Sequence, residues 1–499
     1  MSSNTGERRR GQFRWWVVVW LWIGCLGPVL AQDGGYGSFV IENAIDRLLR
    51  SSHLKGADIG VVVKSLDDGQ MLYERNPLNP LITASNTKLV TTAASLGVLG
   101  EGFQFETRFG LRGNPGENGV FLGDLIVEGE GDPGLGARFH HGDPVGAFRA
   151  LAAALRERDI RTIRGSLVLD TTAFDDEYVA PGWPQNQLDR EYCAPVSALP
   201  LTENCVDVLI GPGSAIGARA TARLAPATSL LGFENTCETF SKLKRGQGPK
   251  LFRYQETIRV SGEVRLGDGE SRFVLSVPDP DAYFADVLLR TLAEEGIRIE
   301  GSTRRAGSGG ANLDDRERVY THRTPLEQVV LVINKESQNF FAECLFKRLA
   351  RQRYPEQPAT FALAGSVVRE YLDQLGVPSE HVESADGSGL SRDNRYAPAH
   401  LVRLLEAAYR GPYRQIFVSS LPISGVDGTL DDRMGGAAYR GRVRAKTGYI
   451  RQVSALSGFI RTRSDRTLVF SILFNGFKSG NAHMKKIQDD ICRTLIDGM

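Results

Sequence analysis

The sequence predicts an α+β protein: an antiparallel sheet flanked by helices, drawn from both ends of the chain, with β-rich material inserted between them. Three observations carry that prediction. A hairpin signal stands early, helical patterns border a long β-like middle, and the chain closes with a strand meander and one more helix. At 499 residues the chain exceeds one ordinary core, and about 150 residues per domain suggests roughly three domains.

The elements follow in order. Arg8, Arg9, Arg10 and Arg14 precede WWVVVWLWIGCL, and Val29-Leu30-Ala31 offers small residues for cleavage, so residues 1–31 read as a secretory signal. Two alternatives stay open: a retained anchor, interrupted by Gly24, Gly27 and Pro28, or a lipoprotein signal at Cys25, for which Trp22 is a poor neighbour. Secretion places the mature chain in the periplasm or cell envelope, peripheral to membrane or wall. Residues 58–76 alternate and turn at Asp67-Asp68-Gly69, which predicts a hairpin. Residues 85–99 read as a helix. From about 103 to 308 the texture is short β-like runs such as GVFLGDLIVEG and ETIRVSGEV, broken by glycine and proline and without a fixed-period repeat. Helical patterns return in PLEQVVLVINKESQNFFAECLFKRLARQ and TFALAGSVVREYLDQLG. The strands VRAKTGYI and VSALSGFIRTRSDRTLVFSILFNGF, turning at Ser464-Asp465, precede a last helix over about 482–496.

Charge excludes some partners. Lys and Arg number 60 against 59 Asp and Glu, so nothing marks a polyanion-binding surface and nucleic acid is not expected. Beyond the signal there are Cys193, Cys205, Cys237, Cys344 and Cys492, with no C-x-x-C pair. No metal site is expected. In an oxidising compartment Cys193 and Cys205 could form a local disulfide, whereas Cys344 and Cys492 read as buried thiols.

Chemistry enters at ITASNTKLV. Ser85 and Lys88 stand three apart, so a helix places both on one face with the serine at its positive end. An alcohol becomes nucleophilic when a base takes its proton, and lysine is such a base only when burial disfavours its ammonium form. The apolar stretch LVTTAASLGVLG supplies burial. The same spacing recurs at Ser52/Lys55 and Ser241/Lys244 without it. Alone, Ser85 would read more plainly as a helix N-cap. Ser337-Gln338-Asn339 opens a later apolar helix, where a second hydroxyl can relay a proton and an asparagine can hold a substrate amide. Lys446-Thr447-Gly448, near the start of a strand, offers a cation and a hydroxyl to a carboxylate, and a glycine where substrate would lie against the strand. The backbone N–H groups of Ser85 and Tyr449 would serve as an oxyanion hole.

In this order the three motifs resemble those of the penicillin-recognising serine enzymes. The chain is most similar to the penicillin-binding protein 4 group of D-alanyl-D-alanine carboxypeptidases and endopeptidases. Further matches are APGWP, APVSALPLTENCVDV, ADGSGLSRDN and SGVDGTLDDR. The resemblance implies a penicillin-binding-protein/β-lactamase-like transpeptidase domain over 36–102 and 316–499. It also implies a second domain over 103–195 and 280–315, with a third, β-rich, nested at 196–279. It makes Ser85 the acylated residue and Lys88 its base, with Ser337, Asn339 and Lys446 completing the catalytic set. Thr447, Gly448, Tyr449, Asp386 and Arg392 would border the substrate, and Asp176 or Glu177 would meet a cationic side chain of the stem peptide. Two departures stand out. Gln338 replaces a common aspartate, and Tyr449 replaces a small hydroxylated residue that would help hold a terminal carboxylate.

The function implied is a serine DD-peptidase acting on peptidoglycan stem peptides and cross-links, acylated by β-lactams and needing no cofactor. A β-lactamase is disfavoured, because the glutamate of an E-x-x-x-N pattern is missing: Leu390 stands four residues before Asn394. A non-catalytic wall-binding scaffold is the alternative from another class, and the complete set of reactive residues speaks against it. Oligomeric state is not legible.

Overall fold

The segment Thr467–Asn475 carries apolar side chains at nearly every position, a pattern stable as a strand only when both faces are covered. It lies at the centre of a five-stranded antiparallel sheet, ordered Val443–Ile450, Val453–Arg461, Thr467–Asn475, Asp58–Ser65, Met71–Arg75. Asp58 pairs with Asn475 and Ser65 with Leu468, so the two ends of the chain meet in one sheet. Side chains alternate between faces. Val62, Val469 and Leu473 point into a core with the helices Thr87–Leu99 and Asn339–Arg353. Val61, Val63, Phe470 and Phe474 point into a second core, closed by the helices Gly34–Leu49 and Asn481–Asp497. Each of those two phenylalanines is fully buried, stabilising the fold by about 1.5–3 kcal/mol.

The computed structural model describes residues 34–241, 248–314, 316–379 and 381–498. The expected signal at 1–31 lies outside them, as do Lys242 and Lys244. No helix among the described residues is long and apolar enough to cross a membrane.

The inserted region is less purely β than its sequence texture suggests. Its seven-stranded sheet mixes parallel and antiparallel pairs, and the helices Gly146–Glu157 and Pro280–Glu294 pack into the same core through Phe148, Leu151, Phe284 and Leu288. Two smaller sheets, one ordered Ser271–Ser276, Cys205–Gly211, Thr221–Ala225 and the other built round Thr257–Arg265, share that core through Val206, Val208, Ile258 and Val260. The boundary expected at 316 is also displaced. Arg318–Pro325 pairs with Gln104–Pro115 in the inserted sheet, directly before the helix Leu326–Lys335, whose Leu326, Val329 and Val330 lie in the first core. The Cys193–Cys205 disulfide does not form. All five described cysteines are free and buried.

Candidate active site

The Ser85 helix is buried on every side from Thr87 to Leu96, which makes it the central helix of its domain. Its hydroxyls are satisfied locally. Thr92 donates to the Lys88 carbonyl at 2.7 Å and Ser95 to that of Thr91 at 2.8 Å. A short 3-10 turn, Ala84–Asn86, leads into it. Ala84 has φ +45°, left-handed backbone that disfavours a side chain by about 1–2 kcal/mol. The neighbours hold it there. A Cβ on Gly389 would lie 1.9 Å from the Ala84 carbonyl oxygen, and one on Gly448 2.8 Å from that of Thr83. Gly448 was expected to clear room for substrate. In the structure it also lets the Lys446 strand touch the Ser85 turn, and Asn86 Nδ2 reinforces the contact by donating to the Lys446 carbonyl at 2.8 Å.

Lys88 is fully buried, and its Nζ has three oxygen neighbours: Asn339 Oδ1 at 2.7 Å, the Ser388 carbonyl at 2.7 Å and Ser85 Oγ at 3.1 Å. The first two can only accept. The Asn339 orientation is fixed because its Nδ2 donates to the Tyr192 carbonyl at 2.9 Å. A neutral amine has two N–H donors and one lone pair. With both donors committed to carbonyl oxygens, the lone pair faces Ser85 Oγ, which can donate its proton. Burial lowers the Lys88 pKa to about 7, against the opposing pull of Glu343 and Asp386. The partly exposed Ser85 thus meets an amine that is neutral near physiological pH.

Ser337, at φ +63°, directs its Oγ to Lys446 Nζ, which donates to it at 2.8 Å and to the Thr447 carbonyl at 3.1 Å. Lys446 is buried, and burial together with neighbouring Lys88 lowers its pKa well below the ordinary lysine value. Thr447 Oγ1 donates to Thr429 Oγ1 at 2.8 Å. Gln338 caps the Asn339 helix by accepting from Phe340 N at 2.8 Å, and its Nε2 donates to Glu203. A cleft of about 840 Å³ opens on Ser337 and Asn339 and extends past Tyr192 and Arg138 to Arg272.

Several expected substrate contacts fall elsewhere. Asp386 has no exposed surface. Its carboxylate accepts from Trp183 Nε1 at 2.9 Å, Gly389 N at 2.7 Å, Ser391 N at 2.6 Å and Asn394 Nδ2 at 2.8 Å. It holds the loop together and faces no cleft. Asp176 pairs with Arg305 at 2.8 Å, and Glu177 gives only its carbonyl, to Lys347 at 2.8 Å. Neither bonds to any residue of the Ser85 cluster. Arg392 is exposed and donates to the Arg451 carbonyl at 2.9 Å, while Tyr449 is 55% exposed on the Lys446 strand. Sequence reading missed Glu343, buried on the Asn339 helix. Its spacing of four from Asn339 was the available signal, because i and i+4 share a helix face.

Fold and site define a serine peptidase of the penicillin-recognising class. The chain belongs to the D-Ala-D-Ala carboxypeptidase 3 (S13) family, which matches it over residues 41–496. A D-alanyl-D-alanine carboxypeptidase of an Actinomadura species is 32% identical over 488 residues, covering 94% of this chain and 87% of the relative. The D-alanyl-D-alanine carboxypeptidase DacB of Haemophilus influenzae is 27% identical over 438 residues, covering 86% and 88%. The crystal structure of penicillin binding protein 4 from that organism superposes with a TM-score of 0.78 at 26% identity, covering 91% of this chain and 99% of that one. The same protein complexed with a novel β-lactam gives 0.73.

Proposed function

We propose that Ser85 is the acylated residue of a DD-peptidase that cleaves D-alanyl bonds in peptidoglycan stem peptides, with Lys88 as its base. The observation that supports this most is the commitment of both Lys88 donors to Asn339 and Ser388, which leaves the lone pair for Ser85. In the forward step the Ser85 proton passes to Lys88 as Oγ bonds to the scissile carbonyl carbon. The oxyanion lies between the N–H groups of Ser85 and Tyr449. The C–N bond then breaks, and the leaving amine takes the proton that Lys88 received, relayed through Ser337, which Lys446 holds, so that Lys88 is neutral again. Water hydrolyses the acyl-enzyme. Lys446 receives the substrate carboxylate, whose charge favours its ammonium form, Thr447 joins it by turning its hydroxyl from Thr429, and β-lactams enter as substrates that are released slowly. The basic and then apolar character of residues 1–31 supports export of the mature chain.

Cross-linked peptides stand beside linear ones in this reading because a cleft of about 840 Å³, lined by Ser337 and Asn339 and not by Ser85, adjoins the nucleophile cluster and falls in the size range of sites that enclose a larger ligand. The test is intact mass spectrometry after exposure to a fluorescent penicillin. One adduct on Ser85, absent in Ser85→Ala, is expected. No adduct, or an adduct elsewhere, refutes the reading.

A further inference from the structure

The helix that begins at Asn339 carries a buried carboxylate one turn further on. Glu343 Oε2 accepts from Gly387 N at 2.7 Å and Oε1 from Ser388 N at 2.8 Å. The carbonyls of the same two residues face the Ser85 helix. That of Ser388 accepts from Lys88 Nζ at 2.7 Å, and that of Gly387 from Thr91 Oγ1 at 2.7 Å. The peptide unit joining Gly387 to Ser388 is therefore gripped from both sides, by Thr91 at its carbonyl and Glu343 at its N–H, and the next unit, joining Ser388 to Gly389, is held by Lys88 at its carbonyl and by Asp386 at its N–H, Gly389 N donating at 2.7 Å. They also press on the Asn339 helix, since a Cβ on Gly387 would lie 2.5 Å from the Ala342 carbonyl oxygen.

We propose that Glu343 is the positioning residue for the base: by anchoring the Gly387 and Ser388 N–H groups it aims the Ser388 carbonyl at Lys88 and so turns the lysine lone pair towards Ser85. The inference rests on Lys88 being the base. One helix then governs both obligate acceptors of the amine, Asn339 directly and the Ser388 carbonyl through the backbone of Ser388, which Glu343 fixes at its N–H while Asp386 holds the following N–H of Gly389. Only a carboxylate satisfies this geometry, because both of its oxygens accept. An amide at 343 would point a donor at one of the two N–H groups. The groups facing Glu343 are Lys88 on the Ser85 helix and Asp386 in the loop, with Cys344 beside it on its own helix and Lys446 next to Lys88. Burial and neighbouring Asp386 push the Glu343 carboxyl up to about 8, opposed by the Gly387 and Ser388 N–H groups, which only an ionised carboxylate can accept on both oxygens, and by Lys88. In that ionised form its negative charge stabilises the Lys88 ammonium. Removing that charge makes the lysine neutral at lower pH.

The test measures second-order acylation by a fluorescent penicillin across pH for the full chain and two variants. Glu343→Gln is expected to lower the plateau rate by about tenfold or more and to move the acid limb to lower pH. Glu343→Asp keeps the charge but withdraws the carboxylate, so its rate falls while the limb stays in place. A wild-type rate and limb in Glu343→Gln overturns the proposal. Equal losses in both variants with no movement of the limb also overturn it, because a scaffold role alone predicts that outcome. Should Glu343→Gln fail to fold, Glu343→Asp decides: a fallen plateau rate at a wild-type thermal midpoint supports the proposal, and a wild-type rate, or a fall that comes with a lowered midpoint, overturns it. An unlabelled wild type would instead remove the acyl-enzyme reading.

Discussion

Gly389 lies against Ala84 so closely that a Cβ on the glycine would fall 1.9 Å from the Ala84 carbonyl oxygen. This contact fixes the peptide just before the nucleophile, and Gly389 itself, at φ +82°, favours glycine on backbone grounds alone. Gly389→Ala is therefore expected to displace the Ser85 turn. A displacement near 1 Å reduces reaction rates by about a hundredfold, and penicillin acylation should fall by that order, with a lower thermal midpoint. Acylation within about twofold of the wild type would show that the turn tolerates the shift.

The Lys88 amine sets the pH dependence. Below its pKa of about 7 the side chain is an ammonium with no lone pair, and above it the neutral amine can take the Ser85 proton. Acylation should accordingly rise about tenfold per unit on the acid side and level off above neutrality. Lys88→Arg, which cannot deprotonate, should lose about two to four orders of magnitude. Stopped-flow labelling from about pH 5 to about pH 9 reads the limb, and a flat profile would exclude lysine as the base.

Asp386 serves stability, so its replacement separates folding from binding. Four donors converge on its carboxylate, and an asparagine would turn an NH₂ group towards some of them. Asp386→Asn should destabilise the protein by about 3 kcal/mol, read as a shift in denaturation midpoint. The folded fraction should retain its KM for a stem pentapeptide. A raised KM at unchanged stability would return Asp386 to the substrate site.

These residues show what the sequence discloses. Ser85, Lys88, Ser337, Asn339 and Lys446 were legible because each motif binds a reactive group to a local pattern, a helix start or a strand. The sheet was legible from continuous apolar runs such as TLVFSILFN. The fate of Asp386 was not, because its partners Trp183 and Asn394 lie far off in sequence or behind a turn, and sequence cannot tell a carboxylate facing water from one facing four donors. The helices Gly146–Glu157 and Pro280–Glu294 were legible and overlooked. Ala147, Phe148, Leu151, Ala152 and Leu155 keep helical spacing, and Asp279 before Pro280 is an N-cap signature whose side chain accepts from Ala282 N at 3.0 Å. Short β-like neighbours masked both.

Tyr449 bears on the balance between the two peptidase activities. It stands directly after the Lys446-Thr447-Gly448 run, opposite Ser454 in the ladder, with its side chain 55% exposed. A threonine there would bring a hydroxyl beside Thr447, which already spends its own proton on Thr429. That second donor could hold a free terminal carboxylate, present in a linear pentapeptide at the leaving D-alanine. A hydrogen bond to a charged group contributes about 1.5–3 kcal/mol when shielded from water, and less at this half-exposed position. Tyr449→Thr is therefore expected to raise kcat/KM for a pentapeptide over that for a cross-linked dimer by about fivefold. Both substrates assayed side by side give the ratio, and an unchanged ratio would mean that the tyrosine does not set the preference.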